Sequence, residues 1–347
     1  MEKILTVVIP TYNMEKYLRR CLDSLIIEDD KLFNLLEVLI INDGSKDSSS
    51  AIAHEYQEKY SEVFRVIDKE NGNYGSCVNR GLKEAEGKYI KILDADDWFE
   101  NRAFKDYLDV LNEVDADLII NGYNMVDSQH NRIVPWYGIN LLNKGFSSFE
   151  DFSKIQINWP MHGIAYKTKK LRSINYNQTE GISYTDMEWD VIPMQIVDIV
   201  YNTNAYLYNY LVGRDGQTMD LTIRRNNFHN LSKVMTSLVT CYNNYNGDDV
   251  TKKYYFTQVF IFLRTIYFDT IVLGIYSLSE LQAFDDKLKN FSPLIYEELG
   301  DMSIRLLFNF RLIKCWRSFE SAWFPRIVRL LHIAHNMLRK LKKMVLF

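Results

Sequence analysis

Apolar runs and amphipathic stretches alternate without a break from residue 4 to residue 97. ILTVVIP, LEVLIIND, FRVIDKE and YIKILDADD carry the pattern of strands, and EKYLRRCLDSLI, SSSAIAHEYQEKY and YGSCVNRGLKEA between them carry that of helices. Strands apolar on both faces and separated by helices belong in a parallel sheet covered on both sides. The expectation is therefore an α/β fold with a mostly parallel central sheet. Ligands of such sheets bind beyond the carboxyl ends of the strands. Those ends are polar here: Thr11, Tyr12 and Asn13; Asp43 and Gly44; Lys69, Glu70 and Asn71; Asp94 and Asp96.

Downstream the pattern becomes mixed, with strands expected at DLIINGYNMV, AYKTKK and NAYLYNYLVG and a helix after FSSFEDF. Beyond 225 nearly everything has helical periodicity. The expected division is 1–225 for the α/β domain, 226–320 for a helical region and 321–347 for a basic amphipathic helix. A chain of 347 residues, 47% hydrophobic and 25% charged, is long enough for two folding units and is not disordered. Its net charge of -4 leaves no footprint for nucleic acid. Cys21, Cys77, Cys241 and Cys315 show no metal spacing, so reduced thiols are expected. The apolar part of MEKILTVVIP is too short for a signal peptide, which gives a cytosolic expectation. VFIFLRTIYFDTIVLGIYSL is long enough to cross a bilayer, but it contains Arg264 and Asp269. Each costs about 2.5–3.5 kcal/mol at a bilayer centre, so a buried helix is expected.

The tail has a different character. On a helical wheel Ile327, Leu330, Leu331, Ala334, Leu338, Leu341 and Val345 form one stripe, with Arg329, Arg339, Lys340 and Lys343 opposite. Trp316 and Trp323 lie nearby, and no acid follows Glu320. This suits a helix lying in the plane of an anionic membrane surface through 326–347, with packing on the domain as the alternative.

The chemistry concentrates at LDADDW, where Asp94, Asp96 and Asp97 crowd together after an apolar strand. A D-x-D at a strand's end can present two carboxylates to one hard cation and leave room for phosphate oxygens. Taken alone it is equally a turn with capping aspartates. GLKEAEGKY lacks the spacing and the Ser or Thr of a phosphate-binding P-loop, and no G-x-G-x-x-G is present. A nucleotidyltransferase would want a Gly-rich, Arg-containing loop after the first strand, and PTYNMEKY is not one.

VVIPTYNMEKYLRRCLDSL, EVLIINDGSKDSS, KENGNYGSCVNRGLKEAEGKYIKILDADDW and EGISYTDMEWD resemble, in order and spacing, the family 2 glycosyltransferases of the GT-A fold. The resemblance is strong to about residue 125 and weaker to about 225. It implies an inverting, metal-dependent hexosyltransferase using Mn²⁺ or Mg²⁺ and a nucleotide-sugar donor. UDP is the leading expectation and a dTDP-deoxysugar an open alternative. Thr11, Tyr12 and Asn13 would line the nucleoside pocket, Asp43 would accept from the base edge, Asp94 would contact the ribose and Asp96 the metal. Asn71, Asn79 and Arg80 fall where the family keeps polar groups beside the donor. Where relatives read N-G-G-L-S this chain has NGNYGS, so Tyr74 would reshape that pocket.

For YTDMEWD the resemblance implies Asp186 as general base, with Thr185 in place of a Glu and with Glu188 and Glu180 as rivals. An N-cap is the alternative role for Asp186. Arg214, between Gly213 and Gly216, would clamp the diphosphate, and His162 could meet the acceptor or leaving group or be structural. The implied acceptor is a saccharide, lipid-linked, at the inner face of the cell membrane. A non-catalytic carbohydrate- or membrane-binding module is the competing class.

Overall fold

The computed structural model of the chain describes residues 2–127, 133–214, 216–218, 220–305, 309–319 and 323–345, without the side chains of 304, 305, 309, 335 and 337–345. Two compact units are distinguished: residues 1–217 with 248–251, and 218–247 with 252–347.

The first unit is built on one sheet. Its strands are β1 (Leu5–Thr11), β2 (Leu36–Asn42), β3 (Phe64–Asp68), β4 (Tyr89–Ile92), β5 (Trp98–Phe99), β6 (Leu118–Asp127), β7 (Ile133–Pro135), β8 (Gly145–Ser148), β9 (Ile164–Lys167) and β10 (Ile199–Val212). The order is β3-β2-β1-β4-β9-β6-β10-β5, with β7 on β6 and β8 on β10. Parallel pairing joins β1 to β2 and β4, and β2 to β3. β9 then enters antiparallel between β4 and β6, β10 returns parallel to β6, and β5 closes antiparallel on β10. The parallel half is the one its periodicity announced. The second half is mixed because β9 runs antiparallel to both of its neighbours and β5 antiparallel to β10.

β1 and β2 are buried almost throughout, as strands covered on both faces must be. The helix Asn73–Glu84 lies directly on this layer: a Cβ on Gly81 would come within 2.4 Å of Val8 Cγ1. The chain therefore crosses from β3 to β4 in close contact with β1, and the order reverses at β1. That reversal opens the crevice in which α/β sheets take their ligands. β4 is shorter than its apolar run because the backbone turns at once, with the Asp97 N–H donating to the Asp94 carbonyl at 2.9 Å.

The second unit is helical, with Phe228–Asn244, Asp249–Phe268, Leu278–Phe291, Pro293–Asp301, Leu312–Ser318 and Trp323–Val345 as its longer elements. Within it the apolar segment singled out above is a core helix. Its most apolar window is 56% buried, Asp269 is ion-paired with Arg224 at 2.6 Å, and Arg264 is exposed. The helix runs into a π turn and ends at Gly274 (φ 69°), where the left-handed backbone suits glycine. Arg329 caps that end by donating to the carbonyls of Thr270 (3.1 Å) and Ile271 (3.2 Å). Arg329 therefore does not belong to the solvated cationic face expected for it. Asp285, 1% exposed, is held by Arg317 (2.7 Å) and by the hydroxyl of Tyr267. Four free cysteines are found.

Candidate active site

The crowded aspartates part company in the structure. Asp97 is fully buried, and its carboxylate accepts from the Tyr208 hydroxyl (2.6 Å) and the Leu211 N–H (2.7 Å). It anchors β10 to the turn after β4. Tyr208 completes the link by accepting from the Asp94 N–H at 3.1 Å. Asp96 is ion-paired with Arg214, and its carbonyl accepts from Arg20 (2.9 Å), whose guanidinium stacks on Trp98. Asp94 is left facing the crevice, accepting from the Tyr74 hydroxyl at 2.9 Å. Burial, then the charge of Asp96, pushes its carboxyl up to about 7. The same causes, with Asp94 added, drive Asp97 well above the carboxylate range.

The strand ends beside this turn form a cleft of about 520 Å³ lined by Tyr12, Asn42, Gly44, Lys46, Asp68, Lys69, Glu70 and Asn71. Tyr12 is 46% exposed and offers its ring to the cleft's mouth, whereas the Thr11 hydroxyl turns back to the Ile9 carbonyl (3.1 Å). Asn13, at φ 54°, ties two loops together by accepting from the Lys46 N–H (2.8 Å) and donating to Ser45 (3.1 Å). Asp43 is 3% exposed. One of its oxygens takes both the Lys69 ammonium and the Gly72 N–H (2.9 Å), and its carbonyl accepts from Asn71 (3.0 Å).

Asn79 and Arg80 lie elsewhere. Asn79 clamps Gln178 in both directions (2.7 and 2.8 Å) and donates to Glu180 (2.9 Å). Arg80 pairs with Glu84 at 2.9 Å. Both line a second cleft, of about 620 Å³, together with Lys69, Lys83 and Arg172. Lys69 lines both clefts, so the second adjoins the first.

Asp186 opens the helix Asp186–Val191. Burial raises its carboxyl pKa against two backbone N–H groups. Both rivals are engaged: Glu188 accepts from the Thr179 N–H and hydroxyl (2.7 Å each), and Glu180 from Asn79. Asp186 is close enough to Asp94 for its charge to raise that carboxyl further.

Several participants carried no distinctive sequence signal. Asp190, one helical turn beyond Asp186, is 3% exposed with Oδ1 unpartnered among the described residues. The i, i+4 spacing in DMEWD was its only hint. Lys91 is fully buried and donates to Asn121 Oδ1 (2.9 Å) and to the carbonyls of His162 (3.0 Å) and Ile164 (3.1 Å). Burial without a carboxylate partner lowers it to about 7. His162 sits among the rings of Tyr210, Tyr208 and Tyr123, with centroids at 4.5, 4.8 and 5.2 Å. Burial, then Lys91, depresses it to about 3, and its Nδ1 has no partner among the described residues. Donor atoms of Asp94, Asp97 and His162 all fall within 4.8 Å of one another, a set able to hold a metal ion.

A mixed sheet of this order with acidic residues gathered at its carboxyl edge defines a GT-A glycosyltransferase architecture. Residues 6–171, just under half of the chain, match the model of glycosyl transferase family 2. The chain is 37% identical over 139 residues to an uncharacterized glycosyltransferase of Mycoplasma pneumoniae, a match covering 39% of this chain and 45% of that one. Glycosyltransferase GlyA of Streptococcus pneumoniae is 36% identical over 123 residues, covering 34% of this chain and 16% of GlyA. The chain thus matches less than half the length of either relative. Among solved structures, Staphylococcus aureus TarS 1–349 in complex with UDP-GlcNAc superposes with a TM-score of 0.67 at 20% identity, covering 96% of this chain and 92% of TarS 1–349. The mannosyltransferase PcManGT of Pyrobaculum calidifontis, in complex with GDP-Man and Mn²⁺, gives 0.53 at 13%, covering 97% and 87%. These two likenesses establish the fold.

The raised Asp94 carboxyl has a direct consequence for stability. An unfolded Asp titrates near about 3.9, so between there and about 7 the folded chain keeps a proton that the unfolded chain has released. Metal-free stability from this group is therefore present at low pH and lost as pH rises through its folded value. Asp94→Asn should raise the melting temperature by about 2–6 °C at pH 8 and change it little at pH 5, as read by differential scanning fluorimetry.

Proposed function

We propose that this chain is an inverting glycosyltransferase that moves a hexose from a nucleotide sugar, UDP-linked in the leading case, to a lipid-linked saccharide in cell-surface polysaccharide assembly. The observation that carries the reading is the acidic turn after β4, where Asp94 faces the crevice beside a cleft of strand ends and Asp186 lies near enough for its charge to act on it. This arrangement puts a half-buried carboxylate, without a side-chain hydrogen bond among the described residues, near the turn expected to take the donor's diphosphate.

The Tyr12–Asn71 cleft receives the nucleoside, with Asp43 at the base edge and Thr11 and Asn13 shaping the loops around it. Asp94 meets the ribose. Asp186 takes the proton of the acceptor hydroxyl as that oxygen attacks the anomeric carbon. The bond from this carbon to the diphosphate oxygen breaks on the opposite face, and the nucleoside diphosphate leaves with the electron pair. One displacement inverts the centre. Its raised pKa makes Asp186 a stronger base.

The residues also fit a divalent ion. Oxygen donors and a neutral imidazole are gathered at one turn, and the His162 Nδ1 lacks a partner among the described residues. Mn²⁺ or Mg²⁺ would take up the charge that develops on the diphosphate. Asp96 becomes a ligand once Arg214 moves from it to the diphosphate, and the positive φ of Gly213 and Gly216 (83° and 77°) suits a loop that adjusts. Asp94, Asp97 and His162 form the second candidate ligand set. The ligands carried by TarS and PcManGT support a nucleotide-sugar donor.

The tail supports a location at the cytosolic face of the membrane. Trp323, Ile327, Leu330 and Ile333 are 44–66% exposed along the helix Trp323–Val345, while Phe324 and Val328 are buried. Arg326 lies exposed among them. An exposed apolar stripe with a cation beside it fits anionic lipid. Leu331 and Ala334 are half-buried, and the side chains of Leu338, Arg339, Lys340, Leu341, Lys343 and Val345 lie outside the described residues.

Calorimetric titration with UDP, dTDP and GDP, with and without Mn²⁺, tests the donor site. One nucleotide should bind in a metal-dependent manner, and Asp96→Asn should abolish the metal dependence. If His162→Gln abolishes it and Asp96→Asn does not, the second ligand set holds the ion. A wild type that binds no nucleotide would instead be a carbohydrate- or membrane-binding module. Asp186→Asn should lower turnover about 10²–10⁴-fold and leave nucleotide-sugar affinity unchanged, measured by product formation beside calorimetry. Leu330→Glu should weaken co-sedimentation with phosphatidylglycerol-containing vesicles about tenfold, with phosphatidylcholine vesicles as the low-binding control.

A further inference from the structure

The turn at residues 72–75 is fixed from both sides. Gly72 donates its N–H to Asp43 and accepts at its carbonyl from the Gly181 N–H, each at 2.9 Å. Asn73 occupies the left-handed region at φ 65°. Gly75 packs so closely on the segment before Asp186 that an added Cβ would lie 2.1 Å from the Thr179 carbonyl oxygen. The backbone at Tyr74 is therefore clamped between the nucleoside end of the crevice and the strip of chain that leads to Asp186.

This clamp delivers the Tyr74 side chain into the acidic centre. Its hydroxyl donates to Asp94 Oδ1 at 2.9 Å and lies 2.9 Å from Met161 Sδ. Asp186 and Asp190 are near enough to act on its proton, and burial above all keeps that proton in place. A phenol that donates to a carboxylate still has lone pairs to offer. An acceptor of fixed direction is thus held between the turn that takes the diphosphate and the residue that takes the acceptor's proton. In a single displacement the transferred sugar has to lie between those two groups.

We propose that Tyr74 is a specificity-determining residue for the donor sugar, its hydroxyl accepting a hydrogen bond from one pyranose hydroxyl while donating to Asp94. This rests on the transferase reading above. Donation to Asp94 points the remaining lone pairs one way. A sugar whose hydroxyl at the contacted carbon has the other configuration loses the bond, and the ring alone cannot tell the two apart.

Tyr74→Phe keeps the ring and removes the hydroxyl. Wild type and variant are titrated calorimetrically in Mn²⁺ with UDP, UDP-glucose, UDP-galactose and UDP-N-acetylglucosamine, or with the corresponding set for whichever base the wild type binds. The variant's affinity for the preferred nucleotide sugar should fall about three- to tenfold, the scale of one neutral hydrogen bond, with its preference over the other sugars narrowed and the plain diphosphate bound as before. An equal loss for diphosphate and nucleotide sugar would make Tyr74 a support for Asp94 only and overturn the proposal. So would unchanged affinity and selectivity. Failure of the wild type to bind any nucleotide sugar is a different result, because it removes the transferase reading itself and this inference with it. Matching melting temperatures of the two proteins exclude misfolding as the cause of a loss.

Discussion

The buried carboxylate of Asp97 holds the site together. It lies at the turn where β4 stops, and both its oxygens are spent on β10, one on the Tyr208 hydroxyl and one on the Leu211 N–H. A carboxyl with no exposed surface is tolerable only when its hydrogen-bonding capacity is met. Satisfying it fastens the end of β10 to the acidic turn. The loop that carries Arg214 begins immediately afterwards, so the same fastening brings the guanidinium to Asp96. Remove the anchor and the partner of Asp96 is no longer positioned.

Like charges in so short a turn are sustained by unlike partners. Asp97 is met by a phenol and a peptide N–H, Asp96 by a guanidinium, and Asp94 by a second phenol from a distant loop. Asp94 faces the crevice with the Tyr74 hydroxyl as its partner, and its carboxyl is raised to about 7. Raised carboxyl values of this kind accumulate where a cation or a proton is to be received. Lys91 lies beneath the same turn with only neutral oxygens around it, and its donors fix the carbonyls that frame His162.

The second half of the site comes from the chain that returns over the helix Asn73–Glu84. Asn79 holds Gln178 and Glu180 in place. Glu188 binds Thr179 and stiffens the same strip. These contacts engage the rival carboxylates and leave Asp186, half-buried at the head of its helix, one helical turn before the buried Asp190. The base candidate is therefore selected by what its neighbours are already doing.

The sequence by itself determined the parallel half of the sheet. Apolar strands and amphipathic helices write their period into consecutive residues, and polar residues at each strand end mark the ligand edge. It also determined the acidic turn, because a strand that stops in LDADDW can only present those carboxylates at its carboxyl end. The tertiary structure alone decided which partner each carboxylate received. Asp96 meets Arg214 and Asp94 meets Tyr74 across stretches that local periodicity does not register. It also sent Asn79 and Arg80 to the second cleft and Arg329 to a helix end. Helical phase fixes which residues share a face, but not what that face will meet. Hydrogen bonds and ion pairs between distant segments are settled only when packing has fixed every donor and acceptor in space.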